Sequence, residues 1–157
     1  MTHTFDHVGL SVADLDAMIA WYGKAFGLAV EFEFELPNAI MRGAMLHSPD
    51  GYRVELLHRA DSVLGLQAGN PLEAAATRGY GHVAFDVPDV DAAYDALIAL
   101  GAADRMSPRP SPEPGVRMAY VADPEGNLIE LLDRAAAKAA GRYGVPGEAH
   151  DPGHAGG

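Results

Sequence analysis

The chain contains no cysteine, which excludes disulfide scaffolds and thiolate metal sites and makes cytoplasmic residence the default expectation. Basic residues are scarce: 11 Lys and Arg stand against 22 Asp and Glu, for a net charge of −11. Such a field repels phosphate backbones and anionic bilayers, so neither nucleic acid nor a membrane is expected as a partner. No apolar run approaches the roughly 18 residues of a membrane span, and no basic-then-apolar leader is visible. What is present reads as globular: 157 residues, 48% apolar, about one domain with a real core.

The most informative pattern is a repeat at an offset of 75 residues. His7-Val8 and His82-Val83 open the two copies, and Glu55-Leu56-Leu57 and Glu130-Leu131-Leu132 close them. Between them Val12/Val87, Asp14/Asp89, Asp16/Asp91, Ala17/Ala92 and Pro49-Asp50-Gly51/Pro124-Glu125-Gly126 match at the same spacing. A repeat of this length implies two copies of one supersecondary unit. Each copy reads as strand, helix, then three strands, an α+β unit of βαβββ order. Module 1 spans about 3–60, a linker 61–78, and module 2 about 79–134; together 1–134 form a single domain. A tail, 135–157, starts Ala-rich and helical and then turns Gly-, Pro- and His-rich, as an appendage rather than core.

Strands are expected near Phe5–Val12, Leu28–Leu36, Ile40–His47 and Tyr52–His58, and again near Gly81–Val87, Ala102–Met106, Val116–Ala122 and Asn127–Leu132. Asp14 and Asp89 suit helix N-caps, and Gly27 and Gly101 suit helix stops. Ser107–Pro114, with four prolines in eight residues, is expected as a loop. Ser62–Arg78 has room for a short helix.

Alternation along the strands makes the repeat chemical. Val8, Leu10 and Val12 share one face, leaving His7 on the other; Val83, Phe85 and Val87 do the same to His82. Val54 and Leu56 exclude Glu55, and Ile129 and Leu131 exclude Glu130. If the apolar face packs on the helices, these four polar residues all lie on the helix-free face, where a curved mixed sheet would enclose a cavity. Two imidazoles and two carboxylates suit a divalent Ni, Co, Mn, Zn or Fe ion and balance its charge. Without an ion, two facing carboxylates would repel and one would take up a proton. The bland alternative is that each His and Glu is simply solvated at a strand end.

The motifs "DHVGLSVADLD", "GHVAFDVPDVDAA" and "DPEGNLIELLD" resemble the vicinal oxygen chelate superfamily, which includes glyoxalase I, methylmalonyl-CoA epimerase, extradiol dioxygenases and bleomycin-binding proteins. The resemblance covers about residues 3–134. It implies two paired βαβββ modules around a metal-binding cavity, with ligands on the first and last strand of each module: here His7, Glu55, His82 and Glu130. The ligand pattern is similar to bacterial glyoxalase I and close to the epimerase. It departs from glyoxalase I after Glu55, where Leu-Leu-His-Arg-Ala-Asp replaces Asn-Trp-Gly, and in lacking a recognisable glutathione-contacting pattern. The resemblance also implies a homodimer, with the cavity closed either within one chain or between two.

Three functions follow. The first is proton transfer beside a carbonyl: an isomerase or lyase of glyoxalase or epimerase type acting on a small molecule with vicinal oxygens. A divalent ion would stabilise the enediolate, and Glu130 or Glu55 would be the base. The second is Fe(II) extradiol ring cleavage using His7, His82 and Glu130 with Tyr120 nearby; Glu55, a fourth ligand, weighs against it. The third is a binding module that sequesters a drug-sized molecule, for which retained ligands are unnecessary.

Four further residues are candidate substrate contacts. Arg42 and Arg117, matched at the same offset, could clamp an anion bidentately or form surface ion pairs. Tyr120 could line the cavity or belong to the core, and His47 could act as acid or base or sit solvated at a strand end. His150 and His154, in the tail, would hold at most adventitious metal. Trp21 and Met18 fall at core spacing on the first helix.

Overall fold

The structure is a computed structural model; residues 3–139 and 141 are described. Module 1 comprises β1 (His7–Ser11), α1 (Leu15–Phe26), β2 (Ala29–Leu36), a 3₁₀ turn at Pro37–Ala39, β3 (Met41–His47) and β4 (Arg53–Arg59). After a linker with α2 (Pro71–Ala75), module 2 repeats the order as β5 (Val83–Asp86), α3 (Val90–Ala99), β6 (Ala103–Pro110), β7 (Arg117–Ala122) and β8 (Leu128–Asp133). A last turn, α4, covers Ala135–Ala139. The α+β fold of two paired βαβββ modules is as the repeat implies. The strands form two four-stranded mixed sheets, ordered β1-β4-β3-β2 and β5-β8-β7-β6, rather than one curved sheet.

The helices form where the sequence supplies caps and an apolar stripe. Asp14 accepts from the Ala17 amide at 3.0 Å, and Asp89 from the Ala92 amide at 3.0 Å, each cap contributing about 1 kcal/mol. Helix α1 ends at Gly27, whose φ of 66° is the left-handed conformation glycine adopts without strain. Its buried side chains are Leu15, Met18, Trp21 and Tyr22. They join Leu46, Val54, Leu56, Val121, Ile129 and Leu131 in one core shared by both modules. At roughly 1.5–3 kcal/mol per fully buried large side chain, this core outweighs the caps.

The two modules are locked together by specific contacts. Phe26 stacks on Phe85 with ring centroids 4.3 Å apart. The Trp21 indole N–H donates to the Leu100 carbonyl at 3.0 Å, and the Tyr22 hydroxyl donates to the buried Asp123 carboxylate at 3.0 Å. The Glu125 carboxylate, in the turn before β8, accepts from the Ala13 and Asp14 amides at 2.6 and 2.9 Å. It thereby completes the N-terminus of a helix in the other module.

Three expectations are corrected. The Pro-rich run is only partly loop: β6 continues to Pro110, with a register irregularity between Met106 and Arg109. Its proline nitrogens are tolerated because β6 is the outer strand of its sheet. The chain after Asp133 is not wholly an appendage: Ala137 is fully buried against Val116 and Leu132, because a methyl side chain fits that groove. Lys138 also ion-pairs with Asp86. The rest of the tail, including His150 and His154, lies outside the described residues. Finally, β5 begins at Val83, so His82 stands just before the strand instead of within it. Among the described residues no helix is long and apolar enough to cross a membrane.

The Tyr22–Asp123 contact yields a prediction. Burial first, then the Asp123 charge, holds the Tyr22 hydroxyl protonated well above the usual tyrosine value of 10. A proton held more tightly folded than unfolded stabilises fully below about pH 10 and is lost as pH rises beyond it. Tyr22→Phe should lose about 1 kcal/mol at pH 7 and show a shallower alkaline decline than wild type, measured by denaturant unfolding across pH.

Candidate functional site

The parallel ladders place each histidine beside the last strand of its own module. In module 1, His7 is in register with Arg53 and Gly9 with Glu55; in module 2, Ala84 is in register with Glu130. Val54, Leu56, Ile129 and Leu131 face the core, so Glu55 and Glu130 project from the opposite, helix-free face, as alternation requires. His7 Nε2 lies 3.6 Å from Glu55 Oε2, and His82 Nε2 lies 3.2 Å from Glu130 Oε2. All four side chains are partly exposed. Each pair offers one imidazole nitrogen and one carboxylate oxygen.

The four do not converge. Among the described residues, no three His, Cys, Asp or Glu side chains lie close enough to hold a metal ion. Alternation fixes which face of a sheet a residue occupies, but not how two sheets face each other, and the four residues stand as two His–Glu pairs. A cleft of about 960 Å³ between β1 and β5 is lined by both His7 and His82, with Phe5, Tyr52, Tyr80 and Phe85.

The two His–Glu pairs have different neighbours. Tyr120, buried, pairs in register with Glu130 and meets the His82 ring edge-on at 5.3 Å between centroids. Burial first, then the adjacent Glu130, raises its hydroxyl above the usual tyrosine range. Tyr120 is thus both a core aromatic and a neighbour of Glu130; Met45 occupies the same register beside Glu55. Linker and tail flank the His82–Glu130 pair: Ala68 and Ala74 pack on Ala122 and Leu128, and Ala137 packs on Leu132.

Sequence reasoning missed Asp6. Its Oδ1 lies 2.6 Å from His7 Nδ1, and its Oδ2 accepts from Arg53 Nη2 at 2.8 Å. Arg53 also reaches Glu31 at 3.3 Å. The His7 hydrogen bond, followed by Arg53, holds the Asp6 carboxyl below the ordinary carboxylate range. Neighbours on a strand point to opposite faces, which hid this contact; but β1 starts at His7, so Asp6 escapes the alternation. The Asp-His dipeptide was the available signal.

The remaining candidates lie elsewhere. Arg42 and Arg117 sit on the helix-covered face, where Arg42 donates to Asp16 at 3.1 Å and Arg117 to Asp91 at 2.7 Å. Each ties the first turn of a helix to the third strand of its own module. His47 is on the Glu55 face but exposed at the end of β3, separated from His7 by Arg53.

The profile of the Glyoxalase/Bleomycin resistance protein/Dioxygenase superfamily matches residues 4–131. The chain belongs to this superfamily. Over 140 residues it is 30% identical to a probable lactoylglutathione lyase of Vibrio cholerae, covering 87% of this chain and 95% of that one. It is 31% identical to a putative lactoylglutathione lyase of Brassica oleracea over 83% of its own length, but spans only 44% of that relative. Among solved structures, a glyoxalase family protein from Bacillus cereus is similar with a TM-score of 0.69 and 25% identity, covering 85% and 95% of the two chains. The two-module glyoxalase fold is therefore shared, and lyase names recur among the sequence relatives.

The Arg117 ion pair can be tested separately from the His/Glu face. Its hydrogen bonds, first among the causes, lower the Asp91 carboxyl from 3.8, so its stabilisation is present above that pH and fades as pH falls through the depressed value. Arg117→Ala should lower the urea midpoint at pH 7 and converge with wild type at strongly acid pH.

Proposed function

We propose that the protein is a divalent-metal-dependent isomerase or lyase of glyoxalase or epimerase type, acting by proton transfer beside a carbonyl. The observation that carries this reading is the pair of matched His–Glu contacts, 3.6 and 3.2 Å across, on equivalent strands. Each donor set fits the group: one imidazole nitrogen and one carboxylate oxygen, partly open to solvent, suit a Ni, Co, Mn, Zn or Fe ion. His7, Glu55, His82 and Glu130 would hold the ion, which would supply Lewis-acid polarisation of two neighbouring substrate oxygens. The two pairs belong to different modules, and in this reading module 1 of one protomer completes module 2 of its partner in a homodimer.

Within such a site, the carboxylates move the proton. Glu130 takes it from the carbon next to the substrate carbonyl, and Glu55 returns it to the neighbouring position. Tyr120 holds Glu130 from the β7 side, while the linker and tail packing beside it limits water. The substrate is a small molecule with vicinal oxygens, in keeping with the lactoylglutathione lyase names of the relatives.

A second reading, ring cleavage with Fe(II), is favoured only by Tyr120 lying against His82 and Glu130. Glu55, within reach of His7, would fill a position that catechol or oxygen needs. Iron-dependent colour formation from catechols by anaerobically prepared protein would replace the first reading with this one.

Two experiments test the proposal. Glu130→Gln should abolish solvent-deuterium exchange into a glyoxalase-type substrate, a hemithioacetal of a 2-oxoaldehyde; unchanged exchange would remove Glu130 as the base. Mixing His7→Ala chains with His82→Ala chains should restore metal binding and activity that neither parent has, because each mixed dimer regains one intact site. Failure of mixed dimers to recover either property would place the site within one chain.

A further inference from the structure

The two half-sites share their ligands but not the support behind them. In module 1, His7 Nδ1 is 2.6 Å from Asp6 Oδ1, and Asp6 is anchored through its other oxygen by Arg53. Arg53 is in turn braced by Glu31. At the 75-residue offset module 2 carries Gly81 for Asp6, Leu128 for Arg53 and Met106 for Glu31, so none of this support is repeated. An ionised carboxylate only accepts hydrogen bonds. The Asp6 contact is therefore satisfied by a proton on His7 Nδ1, and it turns Nε2 toward Glu55.

We propose that Asp6 is a positioning residue for His7, fixing both the ring orientation and the tautomer in which Nε2 is free to bind a divalent ion. Module 1 is then the pre-organised half of the site. His82, which meets Glu130 and the Tyr120 ring edge but has Gly81 in the place of Asp6, is the adaptable half. Carboxylates behind ligating imidazoles commonly raise affinity in this way. Arg53 serves the arrangement by holding Asp6 in place from the strand that also carries Glu55.

This inference rests on the metal reading, so its test separates the two. Long-range ¹H–¹⁵N spectra of the metal-free protein at about pH 8, where a free imidazole is neutral, report tautomers without any ion. Wild-type His7 should carry its proton on Nδ1. Asp6→Ala should release it to the mixture seen for an unconstrained ring, and Asp6→Asn, which keeps a neutral acceptor, should fall between. Cobalt affinity, measured by competition with a chromophoric chelator, should drop about 10- to 100-fold in Asp6→Ala and less in Asp6→Asn. A wild-type His7 protonated on Nε2, or cobalt affinity unchanged in Asp6→Ala, overturns the role of Asp6. A wild-type protein that takes up no divalent ion overturns the metal reading and this inference together.

Discussion

The parallel pairing of β1 with β4, and of β5 with β8, is the constraint on which the candidate site depends. It brings a histidine at the start of each module against a glutamate at its end, across almost fifty residues of chain. The intervening helix must cross over to allow parallel pairing, so it covers one face and leaves the other open. Core packing and the outward placement of Glu55 and Glu130 are therefore one event. Val54 and Leu56 cannot enter the core without turning Glu55 outward.

Within this shared scaffold, the residues beside the two His–Glu pairs differ. Tyr120 stands where module 1 has Met45, and Asp6 where module 2 has Gly81. The first substitution adds a hydroxyl beside one carboxylate; the second adds a carboxylate behind one imidazole. Two equivalent pairs thus differ in electrostatics while keeping their geometry nearly equal.

Much of this was legible from the residues. The repeat gave the number and order of strands, and alternation located the helix-free face, because both follow from local chain geometry. Distances between modules were not legible, since they depend on how Phe26, Phe85 and Tyr22 pack across the join. Nor was the continuation of β6 through Pro108, which depends on that strand's position at the sheet edge. The Asp6 contact was not legible because Asp6 lies one residue before β1, where strand alternation no longer sets the side chain's face.

The Glu125 carboxylate, bound to the amides of Ala13 and Asp14, has a consequence for the repeat. Once the turn of one copy caps the helix of the other, and Phe85 of one completes the aromatic cluster of the other, neither copy remains a complete folding unit. Loss of either half would strip its neighbour of a helix terminus and part of a core. The two like halves are joined by contacts that neither makes alone, and the His–Glu pairs take no part in those contacts.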